Sequence, residues 1–552
     1  MAPRRPHLDR RAGRGLRLAG GLTLAGSLLL GCSAVKDTSS TATSSGSNSF
    51  GTPASSSAVK KGGTLTVALS AEPDQLDPTL SRSLYSRYVF ETMCEKLYDV
   101  DAKTAIVPQL ASALPKVSAD GLTVTIPLRT GVKFADGTAF DSAAVKQTLE
   151  RDLTLPTSAR KSELGPITSV DTPDANSVVL HLSQPFSPLT AALTDRAGMV
   201  MSPTALTKLG DNFSTAPVCV GPFKFVNRVA QNSIDVERDP NYYDAGKVHL
   251  DHITYRIITD ANIRAANLRS GDAQVADTLS TQDVPALRTT KGLSVLQSNS
   301  LGYQGLTVNV GNVAGLGKPT GSINTPLATD PRVRQAFSEA VDRDALVKTV
   351  FGGLYGSACG PISPDSQFAS DASQACPKAD PAAAKKLLAA AGVQVPYPVT
   401  MSISNNPDSL RLAQAMQAMV ADGGFKLTIQ PVEFSSLLDQ EDAGKFETIQ
   451  LGWSGRVDPD ANITNFVGTG GSQNVGGYSN PALDTLLAQA RGATDAKQRA
   501  SLYGKAAQLM AKDNPIIYLY RQRNLTGVSD TVKGVQVFPD GVIRVAFAGL
   551  AK

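Results

Sequence analysis

Residue types that hold metals or do covalent chemistry are scarce in this chain. Its 552 residues include four His, five Cys and one Trp. No Cys-x-x-Cys occurs, and His249 and His252, three apart at the start of an expected strand, point to opposite faces, so the usual zinc spacings cannot be built. Asp458-Pro-Asp460-Ala-Asn462 begins like a calcium loop but places Ile463 where the turn needs Gly. Phosphate-cradling spacing is missing around Gly315, Gly317 and Lys318, where Pro319 blocks the hydroxyl position. There is no Gly-x-Ser-x-Gly. Ser158-Ala-Arg-Lys161 matches Ser-x-x-Lys, but so does Ser57-Ala-Val-Lys60 in a low-complexity stretch. The expectation is therefore a protein without cofactor, metal or catalytic residues. An envelope-anchored serine hydrolase stands as the competing reading.

Charge of one sign is also lacking. The formal net charge is +4, and residues 1–31 hold six Arg against Asp9, so removing that net +5 leaves −1. No nucleic-acid partner is expected from such a balance. The Arg-rich start, the apolar run at 19–30 and Gly31-Cys32 read as an exported signal whose apolar part is too short to span a bilayer as a mature helix. Leu29-Leu30-Gly31-Cys32 resembles a bacterial lipobox, which makes Cys32 the lipidated first residue of the mature chain. Arg10-Arg11 leaves the export route, general or twin-arginine, open. Residues 32–60 are Ser/Thr/Gly/Ala-rich without apolar period and read as a flexible tether. The expected location is the outer face of the cytoplasmic membrane, in the cell envelope.

What is present is a long chain, 41% apolar, with the makings of two or three domains. Four cysteines remain beyond Cys32, an even number in an exported protein, with three possible connectivities. Cys359–Cys376 is local and favoured, which leaves Cys94–Cys219. Strands are expected at 61–69, 122–128, 132–134, 177–182, 220–226, 233–238, 252–258, 399–403, 426–430 and 446–451. Helices are expected at 83–97, 141–149 and 261–270, the last stopping at Gly271. Three more open on Asp330-Pro331, Asp380-Pro381 and Asn480-Pro481, an N-cap followed by Pro at the first helical position. Strand–helix alternation in both halves gives a mixed α/β fold.

The strand ending near Leu451 delivers Gly452-Trp-Ser-Gly-Arg-Val-Asp-Pro-Asp460. Trp453, Ser454, Arg456 and Asp458 put an aromatic, a hydroxyl, a cation and a carboxylate on one loop, a combination suited to a ligand-binding rim.

Several blocks, in order, resemble one family: the extracytoplasmic solute-binding lipoproteins of ABC importers for peptides, nickel and related solutes. The blocks are Leu128-Arg-Thr-Gly-Val-Lys-Phe-Ala-Asp-Gly-Thr-Ala-Phe-Asp141, Val220-Gly-Pro-Phe-Lys-Phe225, Val333-Arg-Gln-Ala-Phe337 with Ala340-Val-Asp-Arg343, and Gly477-Tyr-Ser-Asn-Pro481 with Leu483-Asp484. The resemblance implies a bilobal periplasmic-binding-protein-like fold in three parts. Domain I takes 61–91, 204–303 and 524–552, domain II takes 92–203, and domain III takes 304–523. Hinge crossings fall near 299–308 and 521–528, and ligand is enclosed between the lobes. Tyr303, Gln304 and Tyr85 join the loop residues as expected ligand contacts. The implied partners are a small solute and ABC permease subunits with a cytoplasmic ATPase, served by a monomer. A sensor using the same fold without transport is a further alternative.

One departure stands out. Peptide-binding members carry an Asp three residues after this Trp, paired with the peptide's α-amino group, and here that position is Arg456. Arg456 is therefore expected to meet an anionic or hydroxyl-rich solute and to disfavour peptides with a free amino terminus.

Overall fold

Three sheets organise the computed structural model, which describes residues 47–552. The signal segment, Cys32 and the first half of the expected tether lie outside the described residues. Thr64–Leu69 is central in a seven-stranded sheet, parallel to His252–Ile257 on one side and to Val275–Ala276 on the other. Such a strand is covered on both faces, and from Leu65 to Leu69 every residue but Thr66 is buried. The sheet is completed by Ser233–Arg238 and Phe223–Val229 outward from His252–Ile257, and by Arg523–Ser529 and Leu293–Asn299 at the other edge. A second sheet of six strands runs Gly356–Ser357, Ile516–Arg521, Tyr303–Val308, Thr448–Trp453, Tyr397–Ser404, Phe425–Val432.

The third sheet is antiparallel: Lys116–Val117, Thr123–Pro127, Ser177–Leu182, Ile167–Asp174. Ser177–Leu182 alternates buried and half-buried residues, as a sheet with one covered face should. Its buried Val178 and Leu180 share a core with Ala144, Val145 and Leu149 of the helix Ser142–Thr154, capped by the Asp141 carboxylate. The first and third sheets make one lobe and the second sheet makes the other.

The chain passes between the two large sheets at adjacent points. Leu293–Asn299 leads through 300–302 into Tyr303–Val308, and Ile516–Arg521 leads through Gln522 into Arg523–Ser529. The Ser300 N–H donates to the Gln522 carbonyl at 3.2 Å, tying the two crossings together. A continuous apolar core runs behind them, from Ala276 and Leu279 in the first lobe to Val350 and Phe351 in the second.

Most expected elements are present, with two corrections. Residues 132–134 are not a strand. Gly131 and Gly137 both have positive φ, at 72° and 86°, and the Phe134 N–H bonds Thr138 in a closed turn, leaving only an isolated bridge between Lys133 and Ala139. The second half of the expected tether is packed onto the first lobe. Ser49 bridges Gln297 on the edge strand Leu293–Asn299, Phe50 sets its ring edge-on to Phe538 at 6.3 Å, and Val59 is buried and paired with Ala551. Two apolar side chains in a polar segment find seats, and the segment covers an otherwise open sheet edge.

Cysteines 94 and 219 are bonded, as are 359 and 376. Among the described residues no three His, Cys, Asp or Glu are grouped to hold a metal ion, and none forms a helix long and apolar enough to cross a membrane.

Candidate functional site

Tyr303 and Trp453 lie opposite one another in the antiparallel pair of strands nearest the crossings, with Gln304 opposite Gly452. Gly452 leaves room for the Gln304 amide: a Cβ there would fall 2.1 Å from its nitrogen, and the amide would have to move. The space left between the lobes beside these strands is a cavity of about 380 Å³. Tyr303, Gln304, Trp453, Ser454 and Tyr85 all line it, so the structure brings five of the seven expected contact residues together.

Each wall has a fixed geometry. The Trp453 indole N–H donates to Asn462 Oδ1 at 2.9 Å, and Phe466 meets the indole edge-on at 5.0 Å. Gln450 Nε2 donates to Gln304 Oε1 at 3.1 Å, and Gln304 Nε2 donates to Gln522 Oε1 at 3.0 Å, an amide chain that ends on the crossing residue. Tyr85 reaches across the cleft to Phe434, rings perpendicular at 5.4 Å, while its hydroxyl accepts from Ser70 Oγ at 3.3 Å. Burial, with nearby Asp277, pushes the Tyr85 hydroxyl up to about 12. Tyr303 Oη and Gln473 Nε2 are buried in the cavity wall and have no hydrogen-bond partner among the described residues. Buried polar atoms are seldom left so, and a bound solute is one way to satisfy them.

Arg456 and Asp458 are outside this cavity. Gly455, at φ 88°, turns the chain so that the Arg456 guanidinium folds under Trp453, 4.1 Å from the indole centroid. There it forms an ion pair with Asp195, which follows the strands of the third sheet in the chain, and donates to the Gly455 carbonyl at 2.8 Å. Asp195 also accepts from Arg87 Nε at 3.0 Å. Burial opposes the Asp195 charge, but Arg456, Arg87 and Arg196 outweigh it and hold the carboxyl well below its usual range. Asp458 is gripped by both Arg499 nitrogens, each at 2.8 Å. The expectation that Arg456 faces the solute is thereby corrected: its charge is spent on a lobe-to-lobe contact, and the reason for excluding free amino groups goes with it.

Ser158 is likewise placed away from chemistry. Its hydroxyl accepts the Arg160 N–H at 3.0 Å in a turn, and Lys161 is exposed.

Sequence reasoning missed the helix Phe434–Asp442 and its partner Arg82. Phe434, Leu438 and Glu441 all line the cavity, a spacing of four and three that puts them on one helical face. Across the cleft Arg82 Nη1 lies 2.7 Å from Asp442 Oδ1, and Nη2 donates to Glu441 Oε1 at 3.3 Å. Burial pushes the Glu441 carboxyl up to about 7, Arg82 pulling the other way and Asp442 adding repulsion. The available signal was a carboxylate set where an apolar stripe would continue. Gln450 and Gln522 had none.

Known proteins share this architecture. Residues 105–474 match the family model for bacterial extracellular solute-binding proteins, family 5. The glutathione-binding protein GsiB of Pectobacterium atrosepticum is 30% identical over 498 residues, which is 88% of this chain and 94% of that protein. The structure of the binding protein AgaA from A. tumefaciens R10 with agropinic acid superposes with a TM-score of 0.77 at 27% identity, covering 88% of this chain and 96% of that one. The oligopeptide-binding protein AppA of Bacillus subtilis, solved with a nonapeptide, superposes at 0.81 with 24% identity, over 90% of this chain and 100% of that one, and speaks for the fold. With a cleft between two lobes, crossings at its base and a match over most of its length, this chain belongs to the family 5 extracellular solute-binding proteins, the capture components of ABC importers.

Proposed function

We propose that this protein captures a short peptide-like solute outside the cytoplasmic membrane and delivers it to an ABC permease driven by a cytoplasmic ATPase. The observation that carries the solute class is the cavity. About 380 Å³ is near the lower end of the roughly 300–1,000 Å³ usual for small-molecule sites, so it suits a solute of roughly dipeptide to tripeptide size. Its lining of aromatic rings and primary amides suits a ligand with amide groups and a mixed apolar and polar surface. The relative named for glutathione binding, a peptide-like thiol, points the same way. Cys32 supplies the membrane attachment in this reading, the protein acts as a monomer, and no bond of the solute is broken.

Mass spectrometry of the solute released from purified protein, followed by calorimetry with glutathione and a panel of short peptides, tests this. A bound or binding peptide-like molecule is the expected result. A co-purifying sugar acid or metal chelate, with every peptide inert, would overturn the solute class and leave the family role standing.

A further inference from the structure

The cavity lining carries more carboxylates than cations. Five titratable side chains line it, two basic and three acidic: Arg82, Arg264, Asp408, Glu433 and Glu441. Arg264 is committed, donating to the carbonyls of Ile258, Thr259 and Thr278 at 2.7, 2.9 and 2.9 Å, with Asp277 at 3.6 Å. Asp408 is paired with Arg411, and it accepts from Ser280 Oγ at 3.0 Å. Glu433 caps its helix through the Ser436 N–H. Arg82 is shared by two carboxylates and sits closer to Asp442 than to Glu441. Glu441 is left with one long contact at Oε1, and its Oε2 accepts from no described residue.

We propose that Glu441 is the seat for a primary ammonium group on the solute. This rests on reading the cavity as the site of a peptide-like molecule. An ammonium brought to Oε2 restores the balance that one guanidinium facing two carboxylates lacks. A second observation, independent of charge, lies beside it. Asn312 Nδ2 donates to the carbonyls of both Glu441 and Val475, at 3.2 and 2.9 Å, and so holds the 473–475 segment against this helix end. That segment carries Gln473, whose unpartnered Nε2 is suited to donate to the carbonyl oxygen next to a peptide's amino group. Phe434 and Leu438 continue the same helical face away from Glu441 and receive the apolar remainder. The ammonium end is thus read from a helix of the second lobe, and the loop after Trp453 is freed for a different task.

The test is calorimetry on the purified protein and its Glu441→Gln and Arg82→Gln variants, using glutathione and a di- and tripeptide panel, each with free and N-acetylated amines. In the wild type, acetylation is expected to weaken binding on the order of 100-fold, the scale of a buried charge left unpaired. Glu441→Gln should cost the free-amine form about as much and leave the acetylated form within a few-fold, so that the acetylation penalty disappears. Arg82→Gln, which weakens the lobe contact without removing the seat, should keep that penalty. Equal losses for both forms in Glu441→Gln, or a wild type indifferent to acetylation, would overturn the seat while leaving the peptide-like reading intact. A wild type that binds no member of the panel would overturn that reading and the seat with it.

Discussion

Asp195 and Arg456 are far apart in sequence, and their contact decides what the Trp453 loop can do. Both side chains are buried, and Arg87 from the first lobe completes the group. Removing Asp195 leaves Arg456 without its ion-pair partner, so Asp195→Asn is expected to destabilise the protein by about 3–5 kcal/mol, Arg456→Met by less because Arg87 still faces Asp195, and the double variant by less than the sum. Urea unfolding of the set measures this; additive losses would show that the two charges do not sense each other. Asp152 behaves in the opposite sense. Burial pushes its carboxyl up to about 8, the hydrogen bond donated by Thr79 at 2.6 Å and the charge of Arg160 offsetting only part. A folded state that keeps its proton longer than the unfolded chain is favoured at low pH, so this contribution is complete below pH 4 and fades as pH rises toward 8. Asp152→Asn should flatten the fall in stability between pH 5 and pH 8. An unchanged slope would mean the carboxyl is ionised throughout.

At the scale of elements, the turn after Trp453 depends on Gly455. Its φ of 88° is unfavourable for a side chain, and a Cβ would lie 2.3 Å from the Gly302 nitrogen at the crossing. Gly455→Ala should therefore cost more than about 1 kcal/mol, and it should weaken solute binding by displacing Trp453. Thermal unfolding and calorimetry would both register it; a variant as stable and as tight-binding as wild type would place the turn's control elsewhere. Elements of this kind were partly legible in advance. Helices opening on Asp330-Pro331, Asp380-Pro381 and Asn480-Pro481 announced themselves, because a cap and a Pro are local signals. Asn406-Pro407 carries the same signal for the helix Pro407–Asp422 and went unread. Phe434–Asp442 is only nine residues long and its apolar stripe ends in an acid, so periodicity was weak where the site needed it most. The partners of Arg82 and Arg456 could not be read at all, since Glu441 and Asp195 are brought to them by topology and not by spacing.

For the whole molecule, the crossings at 300–302 and Gln522 are where a rotation of one lobe on the other is expected to hinge. Arg82 on Glu441 and Asp442, Arg456 on Asp195, and Tyr85 on Phe434 are all contacts across the cleft, so the described conformation is a closed one. Trp453 is the only indole in the chain and stands at the closing edge. Solute binding should change its fluorescence and reduce the radius of gyration together. A calorimetrically proven ligand that alters neither would remove Trp453 from the moving part. Attachment is a separate matter: Cys32→Ser is expected to release the protein from the membrane fraction or leave its signal uncleaved, and unchanged fractionation would exclude lipidation there.

The segment that docks onto the first lobe brings the two ends of the body together. Val59 pairs with Ala551, and the Lys552 N–H donates to the Ala58 carbonyl at 3.2 Å. For anyone building with this molecule, that closeness is an opportunity. A short bridge from Lys552 to Val59 would convert the body into a circular template, reopened at the exposed turn Ser118–Gly121 to make a permuted biosensor.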